Sequence, residues 1–151
     1  MPNLEDAISL AAEAHRGQKD KAKAPYILHP LRVMLRMETE TDRIIAVLHD
    51  VVEDSRVTLQ DLQRARYSAE IVEAIKYLTR SKEEEYEQFI ERVKGNALAI
   101  KIKIADLEDN LNFERIKEPN EDDLKRYEKY RRALATLRKA QSMGLADRDL
   151  M

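Results

Sequence analysis

His49 and Asp50 stand side by side, and the chain continues Val51-Val52-Glu53-Asp54, so an imidazole and three carboxylates fall at i, i+1, i+4 and i+5. On a helix advancing about 100° per residue these four share one arc, while Ile44, Ile45, Val47, Leu48, Val51 and Val52 fill the other. An ordinary amphipathic helix turns long Lys and Glu side chains to water. Here the polar arc offers short acids beside an imidazole, which suits a cation. His29 and Asp106 supply the same donor chemistry from elsewhere in the chain. Imidazole nitrogen with carboxylate oxygen suits Mn²⁺, Fe²⁺ or Zn²⁺ better than Ca²⁺ or Mg²⁺, which prefer oxygen alone. A lone histidine is more often a packed or surface residue. Taken together, His29, His49, Asp50 and Asp106 form a candidate metal-ligand set, with Glu53 and Asp54 one turn beyond it.

Lys103, Asp106 and Asn110 lie at i, i+3 and i+7, on one helical face. An ammonium, a carboxylate and an amide in line suit a phosphate bound next to a cation. Lys19, Lys21 and Lys23 form a second cluster, in a loop around Asp20, and can meet phosphates or face solvent. Glu108 and Asp109 are expected on a solvated face.

The elements that would position these groups read as helices. Asn3 with Asp6 three residues on caps a helix running to about Arg16, with Leu4, Ala7, Ile8, Ala11 and Ala14 as its stripe. Gly17 stops it, and residues 18–25 form the Lys-rich loop. A short helix starts near His29-Pro30, since proline suits a first helical position, and carries Leu31, Met34 and Leu35 inward. The central helix follows from Asp42. Thr58, Ser68 and Ser81 mark starts of helices near 59–65, 69–79 and 83–94. Leu98, Ile100, Ile102 and Ile104 alternate like a strand, but Ala97, Ile100, Ile104, Leu107 and Leu111 keep a longer helical spacing, and helix is preferred. The last helix begins after Pro119-Asn120, with Glu121, Asp122 and Asp123 at its positive end and Leu124, Tyr127, Leu134 and Leu137 inward. Its cations are mostly solvated, with one or two near Tyr127 and Tyr130 expected to reach a pocket. The class is all-α, a compact single-domain bundle over residues 1–151.

Composition narrows the chemistry. The 151 residues hold 27 Lys and Arg against 29 Asp and Glu, a net charge of −2, so no field points to nucleic acid or a membrane. With no cysteine there is no disulfide, thiolate metal site or cysteine nucleophile. Apolar runs are too short to span a bilayer and the amino terminus lacks a signal-peptide pattern. A soluble, cytoplasmic protein is expected, with oligomeric state left open.

Ala14-His15-Arg16-Gly17-Gln18, Pro25-Tyr26-Ile27-Leu28-His29-Pro30, Leu48-His49-Asp50-Val51-Val52-Glu53-Asp54 and Lys103-Ile104-Ala105-Asp106-Leu107-Glu108-Asp109-Asn110-Leu111 together resemble the HD-superfamily hydrolase domain of RelA/SpoT-type alarmone enzymes. The likeness covers nearly the whole chain and is closest to small stand-alone HD proteins without a synthetase domain. It implies an all-helical HD-domain fold, one Mn²⁺ bound by His29, His49, Asp50 and Asp106, and removal of pyrophosphate from the 3′ position of (p)ppGpp. Glu53 and Asp54 would then orient or deprotonate the attacking water, and Asn110 would hold the nucleotide, with Lys103 and loop lysines such as Lys21 assisting. His15 would hold the following loop rather than a metal, and three histidines suit a single ion.

The chain departs from that family at one place. An Arg-Lys-Ser-Gly loop is common there, with the arginine near the base; here the aligned residues are Asp20-Lys21-Ala22-Lys23. A planar guanidinium able to stack on a purine is replaced by an acid. The alternatives are an HD phosphohydrolase acting on another nucleotide (ppApp, a nucleoside 5′-monophosphate or a dNTP), or a non-catalytic nucleotide-binding HD module.

Overall fold

The computed structural model describes residues 1–113 and 117–149, and within them the chain folds as helices: α1 Leu4–Ala14, α2 Leu28–Leu35, α3 Glu40–Leu48, α4 Val51–Asp54, α5 Leu59–Arg64, α6 Ala69–Leu78, α7 Tyr86–Val93, α8 Ala97–Phe113 and α9 Glu121–Asp149. Among the described residues no strand forms, and one isolated bridge joins Lys19 to Pro25. The expected all-α class holds. No helix of the described residues is long and apolar enough to cross a membrane.

Local chemistry explains most of the boundaries. Asn3 and Asp6 form a reciprocal capping box at α1, Thr58 and Asp61 another at α5, and Ser68 accepts from the Ile71 N–H at α6. At α9 Asn120 and Asp123 bond each other's backbone N–H in the same way. α1 ends at Ala14, short of the expected Arg16, with His15 as its C-cap, and Gly17 turns the chain just beyond it at φ +82°, a conformation that a Cβ disfavours.

Three expectations shift. Pro30 is the third residue of α2 rather than the first, a position whose N–H would still lack an intrahelical partner. The helix expected over 83–94 begins at Tyr86, because Glu85 and Gln88 form the cap while the Ser81 N–H only donates to Glu84 Oε1. Leu35 and Leu124, assigned to inward stripes, are 70% and 54% exposed.

At the centre, α8 packs against α2, α3, α6, α7 and α9. Ala99, Ile100, Ile102, Ile104, Ala105, Asp106, Leu107 and Asp109 are all buried, so it is covered around most of its circumference. That explains the strand-like alternation of its isoleucines: a helix buried on several sides does not show a one-sided stripe. In α3, Ile44 to Leu48 are likewise buried without interruption.

A candidate metal centre and its cleft

The expected continuous helix through His49 and Asp50 is broken at that pair, between α3 and α4. The Ala46 carbonyl, which would accept the Asp50 N–H in an unbroken helix, instead accepts His49 Nδ1 at 2.6 Å and the His49 backbone N at 3.4 Å. α4 then restarts with the Asp54 N–H on the Asp50 carbonyl. The break turns Asp50, Glu53 and Asp54 to one opening, with a carboxylate oxygen of each within 4.8 Å of the others.

Beneath that opening the structure brings together His29, His49, Asp50 and Asp106. One donor atom from each lies within 4.8 Å of all the others. His29 Nε2 is 2.7 Å from Asp106 Oδ1 and 3.8 Å from Asp50 Oδ2; His49 Nε2 is 3.2 Å and 3.0 Å from the same two atoms. Both Nδ1 atoms are occupied from outside, His49 by the Ala46 carbonyl and His29 by Asp109 Oδ2 at 2.6 Å. The donor set thus fits a divalent transition metal: two Nε2 and two carboxylates aim inward, with their orientation fixed from behind.

Charge accounts for the protonation states. Burial alone would keep His29 neutral, but its hydrogen bonds to Asp106 and Asp109 prevail and raise its pKa to about 9. His49 is likewise buried, yet Asp50 and Asp106 hold it well above the usual imidazole range. Burial would lift Asp50, whereas the His49 charge and hydrogen bond pull it to about 2. Asp106 is held well below the usual carboxylate range chiefly by Lys103, against the opposing effect of burial. Lys103 Nζ donates to Asp106 Oδ2 at 2.8 Å and lies 5.2 Å from the Phe89 ring centroid.

The opening is a cleft of about 390 Å³. Of the residues expected to bind substrate, Lys21, Lys103 and Asn110 all line it, as do Glu53 and Asp54. Glu53 Oε1 accepts the Arg80 N–H at 2.8 Å. Desolvation in the cleft raises its carboxyl despite that bond, and raises Asp54 to about 6, with the Asp50 and Glu53 charges adding to the shift. The Oδ1 of Asn110 is buried without a hydrogen-bond partner. Asp20, by contrast, turns away to its own loop, its Oδ1 accepting the Ala22 and Ala24 N–H groups at 2.9 Å each.

His15 does hold the loop: its Nδ1 meets Gln18 Oε1 at 2.9 Å, and Gln18 Nε2 donates to the Asp54 carbonyl at 2.8 Å. Lys129 and Tyr130 of α9 reach the cleft. Several groups escaped the sequence reading. The Tyr26 hydroxyl donates to Asp50 Oδ2, and Arg80, Tyr86 and Phe89 complete the cleft wall. Tyr26 was detectable only as part of the Pro25-Tyr26 motif. Asp109, expected in solvent, is 3% exposed, because α2 packs on the face of α8 that carries it. Glu108 is partly buried and pairs with Arg36 and Arg138.

No family model matches the chain. Among curated proteins it is similar to the bifunctional (p)ppGpp synthase/hydrolase SpoT of Escherichia coli (strain K12), 32% identical over 123 residues, covering 72% of this chain and 17% of that protein. It is also similar to the guanosine-3′,5′-bis(diphosphate) 3′-pyrophosphohydrolase of Aquifex aeolicus (strain VF5), 30% identical over 121 residues with the same coverage. The chain thus spans about a sixth of the length of these relatives, which is 17% in each case. Among solved structures it resembles one described as a metazoan orthologue of SpoT that hydrolyses ppGpp and plays a role in starvation responses, with a TM-score of 0.73, 21% identity, and coverage of 100% of this chain and 99% of that one. That likeness bears out the HD-type helical fold.

Proposed function

The chain belongs to the RelA/SpoT-type HD hydrolase family, and from that premise we propose that it is a metal-dependent phosphohydrolase that removes the 3′-pyrophosphate of a (p)ppGpp-like nucleotide. The observation that carries this reading is the convergence of the four donor residues at the base of a cleft whose walls hold both further carboxylates and cations. His29 and His49 through Nε2, with Asp50 and Asp106, would hold one ion, Mn²⁺ being the best match to a mixed nitrogen and oxygen set in this family. A divalent ion there acidifies water and offsets charge on phosphoryl oxygens.

Everything else falls to the protein. Asp54, raised to about 6, is a carboxylate at neutral pH yet basic enough to take a proton from the attacking water. Glu53, anchored by the Arg80 N–H, orients that water. Lys103, Lys21, Arg80 and Lys129 supply positive charge for the phosphate groups, and the unpartnered Asn110 Oδ1 is free to accept a ribose hydroxyl. The water oxygen bonds to the phosphorus next to the ribose, the bond from that phosphorus to the 3′-oxygen breaks, pyrophosphate leaves, and the 3′-oxygen takes up a proton to become the hydroxyl of the nucleotide. The proposal includes a cytoplasmic setting and a small-molecule partner rather than nucleic acid or membrane.

A second reading, turnover of an adenosine alarmone or another nucleotide, is favoured by Asp20, which bonds its own loop and offers no guanidinium to a base. Metal-stripped protein supplied with or without Mn²⁺ and offered ppGpp, ppApp, nucleoside monophosphates and deoxynucleoside triphosphates decides between them. Mn²⁺-dependent pyrophosphate release from ppGpp supports the first reading, and equal rates on ppApp show that the base is not selected. Consumption of only mono- or triphosphates retains the hydrolase and removes the alarmone; binding without product leaves a sensor module.

A further inference from the structure

Asp109 and Arg32 lie behind the four donor residues, and the mechanism above gives neither a role. Asp109 is 3% exposed and both its oxygens are engaged. Oδ2 accepts His29 Nδ1 at 2.6 Å and Arg32 Nη2 at 2.9 Å, while Oδ1 accepts Arg32 Nε at 2.8 Å. The guanidinium therefore meets the carboxylate with two parallel bonds and fixes its plane. At the C-cap of α2, Arg36 donates to the Ala105 carbonyl at 3.2 Å and to Glu108 at 3.1 Å, which pins the end of α2 to α8 beside the contact.

An ionised carboxylate only accepts, so His29 carries hydrogen on Nδ1 toward Asp109 and, while protonated, on Nε2 toward Asp106 Oδ1 at 2.7 Å; a cation at Nε2 would take the place of the second hydrogen and leave the Nδ1–H on Asp109. A buried ion pair contributes little to stability over apolar packing of the same volume. The directional consequence of this one falls on His29. Resting on the metal-centre reading, we propose that Asp109 is a positioning residue: clamped by Arg32, it sets the tautomer and ring plane of His29 so that Nε2 faces a divalent cation.

The test is Mn²⁺ affinity of the full chain, measured by competition with a chelating dye, together with ¹⁵N NMR of the imidazoles in metal-free protein above their titration range. Asp109→Leu should weaken Mn²⁺ binding by about 10- to 100-fold and shift His29 toward the Nε2–H tautomer. Asp109→Asn, which keeps an acceptor, should fall between. Asp42→Asn breaks the ion pair of a different buried aspartate, Asp42 with the exposed Lys101 at 2.9 Å, and should leave Mn²⁺ affinity unchanged. Arg32→Met frees Asp109 without removing it, and should move affinity and tautomer in the same direction by less, which keeps the test decisive if Asp109→Leu does not fold. Wild-type affinity with an unchanged tautomer in the Asp109 and Arg32 variants overturns the inference alone. Equal weakening by Asp42→Asn overturns it too, as a general structural effect. A wild-type protein that binds no divalent ion overturns the metal-centre reading and this inference with it.

Discussion

Lys103 grips Asp106 through Oδ2 at 2.8 Å, leaving Oδ1 to the imidazoles of His29 and His49 at 2.7 and 3.2 Å. The two oxygens of one carboxylate thus serve opposite neighbours, and the largely buried ammonium lines the cleft without being one of the four donors.

Lys103→Met follows from that division. The donor atoms remain, so Mn²⁺ content should be close to wild type, while kcat/KM should fall by on the order of 10²-fold if Lys103 is one of the cations that meet the phosphates, as proposed. Metal analysis beside steady-state kinetics checks it, and loss of metal in step with activity would refute it.

Metal loading should release protons. His29, at about 9, is protonated at neutral pH in the metal-free protein, His49 is shifted in the same direction by Asp50 and Asp106, and an imidazole must be deprotonated to coordinate. Affinity should therefore climb with pH up to about 9, and calorimetry in buffers of different ionisation enthalpy should count the protons. The sign for stability runs the other way: a raised imidazole pKa stabilises the metal-free fold below about 6.5, and that stabilisation fades as pH rises through about 9. Melting temperatures of metal-free and loaded protein should diverge across this interval.

If Asp54 is the base proposed above, it should give the rate its acidic limb. With its pKa raised to about 6, the carboxylate form grows as pH rises through that value, and kcat at saturating Mn²⁺ should rise with it. Asp54→Asn should retain metal, lose about 10²- to 10⁴-fold in kcat, and abolish the limb. A limb that survives the substitution would assign it to another group.

Gly17→Ala isolates a backbone effect. Nothing lies within 4 Å of the added Cβ, so the cost is the φ of +82° itself, about 1–2 kcal/mol. Denaturant unfolding should show that loss. Since Gly17 leads into Gln18, whose amide holds the Asp54 carbonyl, a rise in KM without loss of metal is expected alongside it.

What the sequence by itself determined was local. Caps at Asn3, Thr58 and Ser68 fixed helix starts because a short side-chain oxygen three residues before an N–H satisfies it whatever the rest of the chain does. The spacing of Lys103, Asp106 and Asn110 put them on one face for the same reason, and all three line the cleft. The histidine and aspartate motifs marked His29, His49, Asp50 and Asp106 by donor type alone. Tertiary structure decided what faces what. Asp109 looked like a surface acid until α2 brought His29 and Arg32 against it, 80 and 77 residues away. The helix through His49 broke because its own side chain took the Ala46 carbonyl, and Leu35 and Leu124 pointed outward, 70% and 54% exposed, because packing among the described residues leaves those ends of their stripes open. Periodicity reports the face of an element; only packing supplies its partner, and burial with that partner turns an ordinary acid or imidazole into part of a site.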